Sequence, residues 1–259
     1  MKFRLISRVL GIGLIAFSFL QLTPIIVSII YNEDNITAFA YSFLITLVFG
    51  LFLYLVNFEK KYVGIRVKEG FLLTVMLWLF FTIFATLPLI FGTKSDLSIV
   101  SAYFEATSGL TTTGATIFSD LSGEYYSILF YRGLLQWIGG LGIIVLAIAL
   151  MPLLGVGGMQ LYRGETQGPI NQSKLRPKIA ETAMVLVYIY LILTLLCFLS
   201  YFTAGMEYFD AVVHSFTTIA IGGFSNYNES FAFFNNNTIY ILAVVFMFIS
   251  GISFSLHYL

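Results

Sequence analysis

The sequence predicts an all-α membrane protein with six transmembrane helices plus two short re-entrant helices that end in loops containing glycine and small polar residues. Of its 259 residues, 59% are hydrophobic and only 10% are charged, whereas soluble globular chains have about 45–50% and about 25%. Six stretches are apolar over the about 20 residues that a bilayer-crossing helix needs. Two further segments are too short to cross and end in small and polar residues.

The composition also argues against several classes of function. The net charge is zero, with 13 basic and 13 acidic residues, so no basic surface is available for nucleic acid. The single cysteine, Cys197, excludes a disulfide framework. No catalytic motif and no His, Cys, Asp and Glu cluster with metal-ligand spacing occurs in the sequence. We therefore expect neither an enzyme nor a bound cofactor.

The six predicted spans, in chain order, are residues 5–30, 36–57, 70–92, 125–152, 179–203 and 237–259. Pro24 lies inside the first span and is expected to kink it. The segments 98–110 and 207–220 are predicted re-entrant helices. Non-helical backbone at membrane depth survives only where it is buried in protein or lines a watery cavity, so the loops that follow these two helices predict such a cavity.

The loop charges predict the orientation of the chain. Eleven of the 13 basic residues fall on one side of the predicted spans: Lys2, Arg4, Arg8, Lys60, Lys61, Arg66, Lys68, Arg163, Lys174, Arg176 and Lys178. An excess of Lys and Arg marks the cytoplasmic side. We therefore expect a multi-pass protein of the inner membrane with both ends of this chain near the cytoplasm. Nine of the 13 acidic residues lie on the other face, where they either solvate loops or concentrate cations.

The order of span, short helix, loop and span occurs twice. This divides the chain into an N-terminal hairpin (1–69), a first repeat with its cytoplasmic loop (70–178) and a second repeat (179–259). A gapless shift of 109 residues aligns Thr-Thr-Thr-Gly-Ala-Thr (111–116) with Ala-Ile-Gly-Gly-Phe-Ser (220–225). Both repeats start from the same side, so they are parallel, which disfavours an inverted-repeat carrier.

The two loops predict a cation pathway. Glycine tolerates positive φ, which turns successive carbonyl groups toward one axis, and such oxygens can replace the water shell of an ion. Gly114 serves this purpose in the first loop, and Gly222 and Gly223 are expected to do the same in the second. Each short helix also points its negative C-terminal end at its loop, which favours a cation. Gly139 and Gly251 lie mid-span, where small residues allow close helix packing.

Three ionisable residues near the loops, Glu105, Arg132 and Asp210, are candidates for supporting roles. Glu105 could hydrogen-bond the filter backbone or tune its electrostatics, or could be an ordinary satisfied carboxylate. Arg132 is expected to extend to the outer interface; the alternative is an ion pair with Glu105 or Asp210. His214 is expected to be a helix-packing group.

Three runs of residues resemble one known family. Phe-Glu-Ala-Thr-Ser-Gly-Leu-Thr-Thr-Thr-Gly-Ala-Thr (104–116) resembles the first pore loop of the Trk/Ktr/HKT potassium transporters. Gln-Trp-Ile-Gly-Gly-Leu-Gly-Ile (136–143) and residues 153–163 resemble the span and loop that follow it in the TrkH membrane subunit. His-Ser-Phe (214–216) with residues 220–225 resembles the second pore loop.

The resemblance implies a potassium-selective pore of four such repeats, with potassium as the substrate. The filter residues it implies here are Thr112, Thr113, Gly114, Ile221, Gly222 and Gly223. Residues implied to support the pore are Thr111, Glu105, Arg132 and Asp210. It further implies a homodimer in the bilayer, gated by a cytosolic nucleotide-binding subunit of the TrkA type, and weaker exclusion of sodium than in dedicated potassium channels.

The chain holds two repeats where the family has four. On this ground it is expected to be half of a longer pore protein, or a two-repeat protein that must pair with a second copy. Two other functions stay open. One is a non-conducting, truncated or regulatory subunit that assembles with a full-length partner. The other is a sodium-coupled cation carrier.

Overall fold

The computed structural model describes residues 3–56, 67–154 and 172–252. These residues contain helices and loops and no β-strand. The α-helices of the described part are α1 (Phe3–Leu20), α2 (Thr23–Ile30), α3 (Ile36–Val56), α4 (Val67–Gly92), α5 (Ile99–Leu110), α6 (Tyr126–Leu154), α7 (Gln172–Thr203), α8 (Tyr208–Ile219) and α9 (Asn237–Gly251). A short 3-10 helix, Ser230–Phe234, precedes α9.

Four helical stretches of the described residues are long and apolar enough to cross a membrane: Phe3–Ile30, Ile36–Val56, Glu69–Gly92 and Ala183–Thr203. The helices α5 and α8 have 12 residues each. At 1.5 Å per residue each extends about 18 Å, well short of the about 30 Å of a hydrocarbon core. The fold is therefore helical with at least four candidate spans.

Some sequence expectations lie outside the described residues. These are the predicted cytoplasmic residues Lys2, Lys60, Lys61, Arg66 and Arg163 and the end of the sixth predicted span, residues 253–259. The predicted division of the chain at 69/70 and at 178/179 falls inside α4 and α7, which begin at Val67 and Gln172. The division stays a prediction.

The first predicted span consists of two helices. The break falls at Gln21 and Leu22, and α2 then begins with Pro24 in its first turn. Proline is tolerated there because the first amides of a helix have no partner within the helix. The expected interruption is confirmed, but it lies before the proline.

A residue at the break between α1 and α2 also hydrogen-bonds a carbonyl group of α4 that lacks its helical donor. Pro88 lies inside α4 and has no N–H to donate to the carbonyl four residues earlier, that of Phe84. The Gln21 Nε2 donates to this carbonyl oxygen over 3.0 Å. The Gln21 Oε1 accepts from the hydroxyl of Thr46 over 3.1 Å. One buried amide thus connects three helices and satisfies a backbone group that would otherwise be costly in an apolar layer.

The buried apolar side chains form two clusters. The first joins α1, α3, α4, α5 and α6 and includes Leu14, Phe39 and Leu135. The second joins α7, α8 and α9 and includes Cys197 and Ala243, so the cysteine is a buried packing residue. The first cluster thus combines helices of the predicted N-terminal hairpin and of the predicted first repeat, and α6 contacts both clusters.

Helices α1 and α3 cross with their backbones in close contact. A β-carbon on Gly11 would lie 2.7 Å from both the carbonyl oxygen of Gly50 and the amide nitrogen of Tyr54. We expect Gly11→Ala to lower the free energy of unfolding by about 1–3 kcal/mol, because the helices must separate. Gly142→Ala is the matched control, since a β-carbon there meets no described residue within 4 Å. Thermal unfolding in detergent measures both, and equal midpoints for the two variants would contradict this account.

Candidate functional site

The loops after α5 and α8 have the same backbone conformation. Thr112 and Gly114 have φ of 54° and 77°, and Ile221 and Gly223 have φ of 54° and 87°. The two pairs are related by the shift of 109 residues found in the sequence. A left-handed residue, an intervening residue and a left-handed glycine therefore follow each short helix.

Both loops leave their helix through the same hydrogen bonds. The amide of Thr113 donates to the carbonyl of Ser108 over 2.9 Å, and the amide of Gly222 donates to that of Thr217 over 2.8 Å. In each loop the amide one residue earlier donates to a carbonyl three residues back over 3.0 Å. This pair of bonds is the Schellman motif, which normally has glycine at its left-handed position.

Here the left-handed position of the motif holds Thr112 in one repeat and Ile221 in the other. A β-branched residue with positive φ is an outlier. Such conformations cost of order 1–3 kcal/mol each and persist only where the surroundings impose them. The sequence expectation assigned positive φ to glycines alone, so it missed these two residues.

Gly114 is glycine for two reasons. Besides its positive φ, a β-carbon at this position would overlap the carbonyl oxygen of Gly222. The two loops therefore touch, backbone against backbone. Gly223 differs, since a β-carbon there lies more than 4 Å from every other residue of the described ranges.

The expectation that Gly222 has a positive φ was wrong. Gly222 does not belong to the residues with positive φ. A β-carbon at Gly222 would instead overlap the side-chain amide of Gln136 from α6. The residue is glycine because a neighbouring helix needs the space.

The hydroxyls of the first loop face one another. Thr111 Oγ1 donates to the carbonyl of Thr107 over 2.8 Å, so the 2.7 Å contact between Thr111 and Thr113 has Thr113 as the donor. Thr111, Thr113, Ile221 and Gly223 are exposed in the described chain. Backbone carbonyls and threonine hydroxyls are neutral oxygen ligands of the kind that potassium filters use.

Behind the first loop lies a buried carboxylate. Glu105 is fully buried and accepts hydrogen bonds from the hydroxyl of Thr116 over 2.9 Å and from the amide of Ile117 over 2.9 Å. Thr116 Oγ1 also accepts from the amide of Phe118 over 3.1 Å. Glu105 thus bonds the backbone directly after the loop.

In the second repeat, a buried imidazole of the short helix hydrogen-bonds the chain after the loop, where the first repeat uses a carboxylate. His214 takes the place of Glu105, and its Nε2 lies 3.0 Å from the Oγ of Ser225. Its Nδ1 lies 2.9 Å from the carbonyl of Asp210, which can only accept, so a neutral ring carries its proton on Nδ1 and Ser225 donates to Nε2. The amide of Tyr227 donates to Ser225 Oγ over 3.1 Å. His214 therefore holds the loop as well as packing.

Arg132 of α6 joins the two loops. Its side chain is 2% exposed, and its Nε donates to Glu105 Oε1 over 2.8 Å. One terminal nitrogen donates to Thr116 Oγ1 and the other to the carbonyl of Ser225, each over 3.1 Å. The guanidinium also lies 4.4 Å from the ring centre of Phe224. The expectation that Arg132 extends to the outer interface was wrong, and its ion pair with Glu105 is confirmed.

Asp210 does not pair with Arg132. Its two carboxylate oxygens accept from the side-chain amide of Asn226 over 2.8 Å and from the hydroxyl of Tyr227 over 2.7 Å. These bonds tie the start of α8 to the chain that follows the second loop. The structure thus places Asp210 in the support of that loop.

A further contact between the repeats lies beyond the loops. The amide of Leu121 donates to Asn228 Oδ1 over 2.9 Å, and Asn228 Nδ2 donates to Asp120 Oδ1 over 2.8 Å. Hydrogen bonds from Ser122 and Asn228 lower the pKa of Asp120 from 3.8 to about 2. This carboxylate stays ionised at any physiological pH.

Small residues of α6 bring it close to both loops, as expected for Gly139. A β-carbon on Gly139 would overlap the carbonyl oxygen of Leu110, and one on Gly140 would lie 3.2 Å from the β-carbon of Ala220. Among the described residues no group of three or more His, Cys, Asp or Glu could hold a metal ion.

Sequence reasoning missed Gln136, Thr116 and Ser225 as supports of the loops. The signal for the last two was present, because the 109-residue shift that aligns the loops also aligns Glu105 with His214 and Thr116 with Ser225. Both pairs are polar and suited to hydrogen bonding across a loop. No such pattern marked Gln136.

Comparison with known proteins supplies the family context. The profile described as TrkH, cation transport protein, matches residues 35–259. The Trk system potassium uptake protein TrkH of Escherichia coli (strain K12) is 46% identical over 258 residues, which are 100% of this chain and 53% of that protein. The Trk system potassium uptake protein TrkG of the same strain is 37% identical over 99% of this chain and 53% of its own length.

A solved structure agrees with these relatives. The crystal structure of the potassium transporter TrkH from Vibrio parahaemolyticus superposes with a TM-score of 0.88 at 41% identity, over 100% of this chain and 52% of that chain. The chain spans about half the length of the relatives it matches.

Proposed function

Because this chain belongs to the TrkH family of cation transport proteins, we propose that it takes part in potassium uptake across the cell membrane. The membrane potential drives the ion inward with about 2.3 kcal/mol per charge per 100 mV. No covalent bond is made or broken in this activity.

One observation carries the proposal most strongly. The two loops share one backbone conformation, with left-handed residues at 112 and 114 and again at 221 and 223. Each follows a 12-residue helix whose C-terminal end favours a cation. A pair of unrelated turns would have no reason to repeat these angles.

The filter residues of the proposal are Thr112, Thr113, Gly114, Ile221, Gly222 and Gly223. Their carbonyl oxygens replace the water shell of the ion. Thr111 lies beside the first of these strands, while Glu105, Arg132 and Asp210 hold the loops from behind. These residues support the filter and do not themselves bind the ion.

Two strands cannot surround an ion, so two further loops of the same kind must complete the ring. This part of the proposal is supported by the exposed side of both loops and by relatives about twice as long. The missing strands come either from additional sequence of the same polypeptide or from a second copy of this chain.

The membrane arrangement of the proposal has six spans, with α6 and α9 added to the four candidates above. Both ends of this chain lie near the cytoplasm, as the distribution of the basic residues favours. Names of the relatives place them in a Trk system. We propose a homodimer and a cytosolic nucleotide-binding gating subunit of the TrkA type as partners.

Rubidium uptake by cells tests the proposal. We expect the full-length protein to restore growth at low potassium, and to restore rubidium uptake, in a bacterial strain without its own potassium uptake systems. Vector-only cells provide the control. Correct membrane insertion without uptake, combined with co-purification of a full-length homologue, would favour the non-conducting subunit. Uptake that requires a sodium gradient would favour the sodium-coupled carrier.

A further inference from the structure

Gln136 belongs to α6, and its side-chain amide contacts the second loop. The residue is fully buried. Its Oε1 accepts the amide hydrogen of Phe224 over 3.1 Å. Its Nε2 is buried and has no hydrogen-bond partner in the described part of the chain. A buried donor without a partner is unfavourable, so a simple packing role would be served better by an apolar residue.

The side chain of Gln136 also determines the identity of a loop residue. The three atoms nearest to a β-carbon on Gly222 all belong to the Gln136 side-chain amide. The equivalent position in the first loop is Thr113, which carries a full side chain. The need for glycine at 222 is therefore local to the second loop and originates in α6.

The contact extends to the first loop. The carbonyl oxygen of Gly222 lies where a β-carbon on Gly114 would be. Gln136 thus contacts Gly222 from one side, and Gly222 contacts Gly114 on the other. Since α6 belongs to the predicted first repeat, this amide contributes to the position of one filter strand against the other, together with Arg132.

We infer that Gln136 is a positioning residue that sets the selectivity of the pore for potassium over sodium, by fixing the second filter loop against the first. The inference rests on the proposed function. Selectivity in a carbonyl-lined filter depends on the size of the site and on the number of oxygens that reach the ion. A shift of the second loop toward α6 would change both the size of the site and the number of oxygens that reach the ion. Gln136 thus acts through the loop and does not itself contact the ion.

Paired substitutions test the inference in the full-length protein. We expect Gly222→Ala to reduce rubidium uptake roughly 100-fold, the cost of a misplacement of about 1 Å. The double variant Gly222→Ala with Gln136→Ala should recover most of that uptake, because the added methyl group then has room. Gln136→Ala should not rescue Gly114→Ala, whose added methyl group meets backbone.

Selectivity is the second readout. Gln136→Met keeps the bulk of the side chain but cannot accept from Phe224, so the ratio of rubidium to sodium uptake should fall about tenfold, as for a lost hydrogen bond to a buried group. Ser250→Ala is the matched control, since Ser250 also has a buried side-chain oxygen without a partner among the described residues. It should leave the ratio unchanged.

Thermal unfolding separates the inference from the function on which it rests. Gly222→Ala should lower the unfolding midpoint of the purified protein, and the added Gln136→Ala should raise it again, whether or not the protein conducts. Absence of rescue in both uptake and unfolding, or an unchanged selectivity ratio in Gln136→Met, would overturn the inference. A wild-type protein without uptake but with rescue in unfolding would overturn the proposed function and leave the fit between Gln136 and Gly222 established.

Discussion

Gly114→Ala should reduce rubidium uptake by roughly 100-fold or more, while the protein still reaches the membrane. Two effects combine at this position. Alanine is strained at a φ of 77°, and its methyl group would overlap the carbonyl oxygen of Gly222. Neither the first loop nor the second can yield without moving oxygens that we propose to bind potassium. The measurement is rubidium uptake normalised to the amount of protein in the membrane.

Two glycines of the same chain control for backbone strain alone. Gly223 and Gly123 both have a φ of 87°, and a β-carbon at either meets nothing within 4 Å in the part of the chain that the structure describes. Gly223→Ala should therefore reduce uptake less than Gly114→Ala, since it introduces strain without overlap. Gly123→Ala, outside the two loops, should leave transport unaffected. Equal uptake for Gly114→Ala and Gly123→Ala would contradict the assignment of the filter.

Arg132→Met should lower the free energy of unfolding by about 3–5 kcal/mol, the usual cost of leaving one member of a buried ion pair without its partner. Glu105 is fully buried and has no other cationic partner in the described residues. The substitution also removes the donors to Thr116 and to the carbonyl of Ser225. Because these bonds connect the two loops, uptake should fall together with stability. Thermal unfolding in detergent and rubidium uptake measure the two effects.

A second substitution tests the electrostatic cause. Glu105→Gln in the Arg132→Met background removes the unpaired charge and keeps an oxygen that can accept from Ile117. It should restore a large part of the stability and little of the uptake. Lys94→Met is the surface control, because Lys94 is exposed and stacks on Tyr125, an interaction of about 1 kcal/mol or less. If Arg132→Met is no less stable than Lys94→Met, the ion pair is not what holds the loops.

The sequence predicted the elements more reliably than their contacts. The short helices were expected at 98–110 and 207–220 and are found at Ile99–Leu110 and Tyr208–Ile219. Hydrophobic length and small-residue loops are local properties, so they can be recognised in a single sequence. Arg132 shows the limit of this reasoning. An arginine two turns into a span either reaches water or finds a buried carboxylate, and its local sequence is the same in both cases.

Gly222 shows the same limit for a single glycine. Its sequence context suggested a positive φ, as for Gly114. The position requires glycine, however, because the side chain of Gln136, 86 positions earlier in the chain, occupies the space of a β-carbon. Conversely, Thr112 and Ile221 adopt positive φ although β-branched residues rarely do. Only the hydrogen bonds at the ends of α5 and α8 explain why they do so here.

The sequence by itself indicated a membrane protein in which two glycine-containing loops follow short helices, and it predicts that the repeats are parallel. These follow from hydrophobicity, charge and a 109-residue repeat, all of which depend on residues close together along the chain or on a regular spacing. The tertiary structure decided which side chains hold the loops: Glu105 and Arg132 in one repeat, His214 in the other, and Gln136 between them. Such partners are chosen by the packing of distant helices, where a buried polar group must find a match wherever the fold places one.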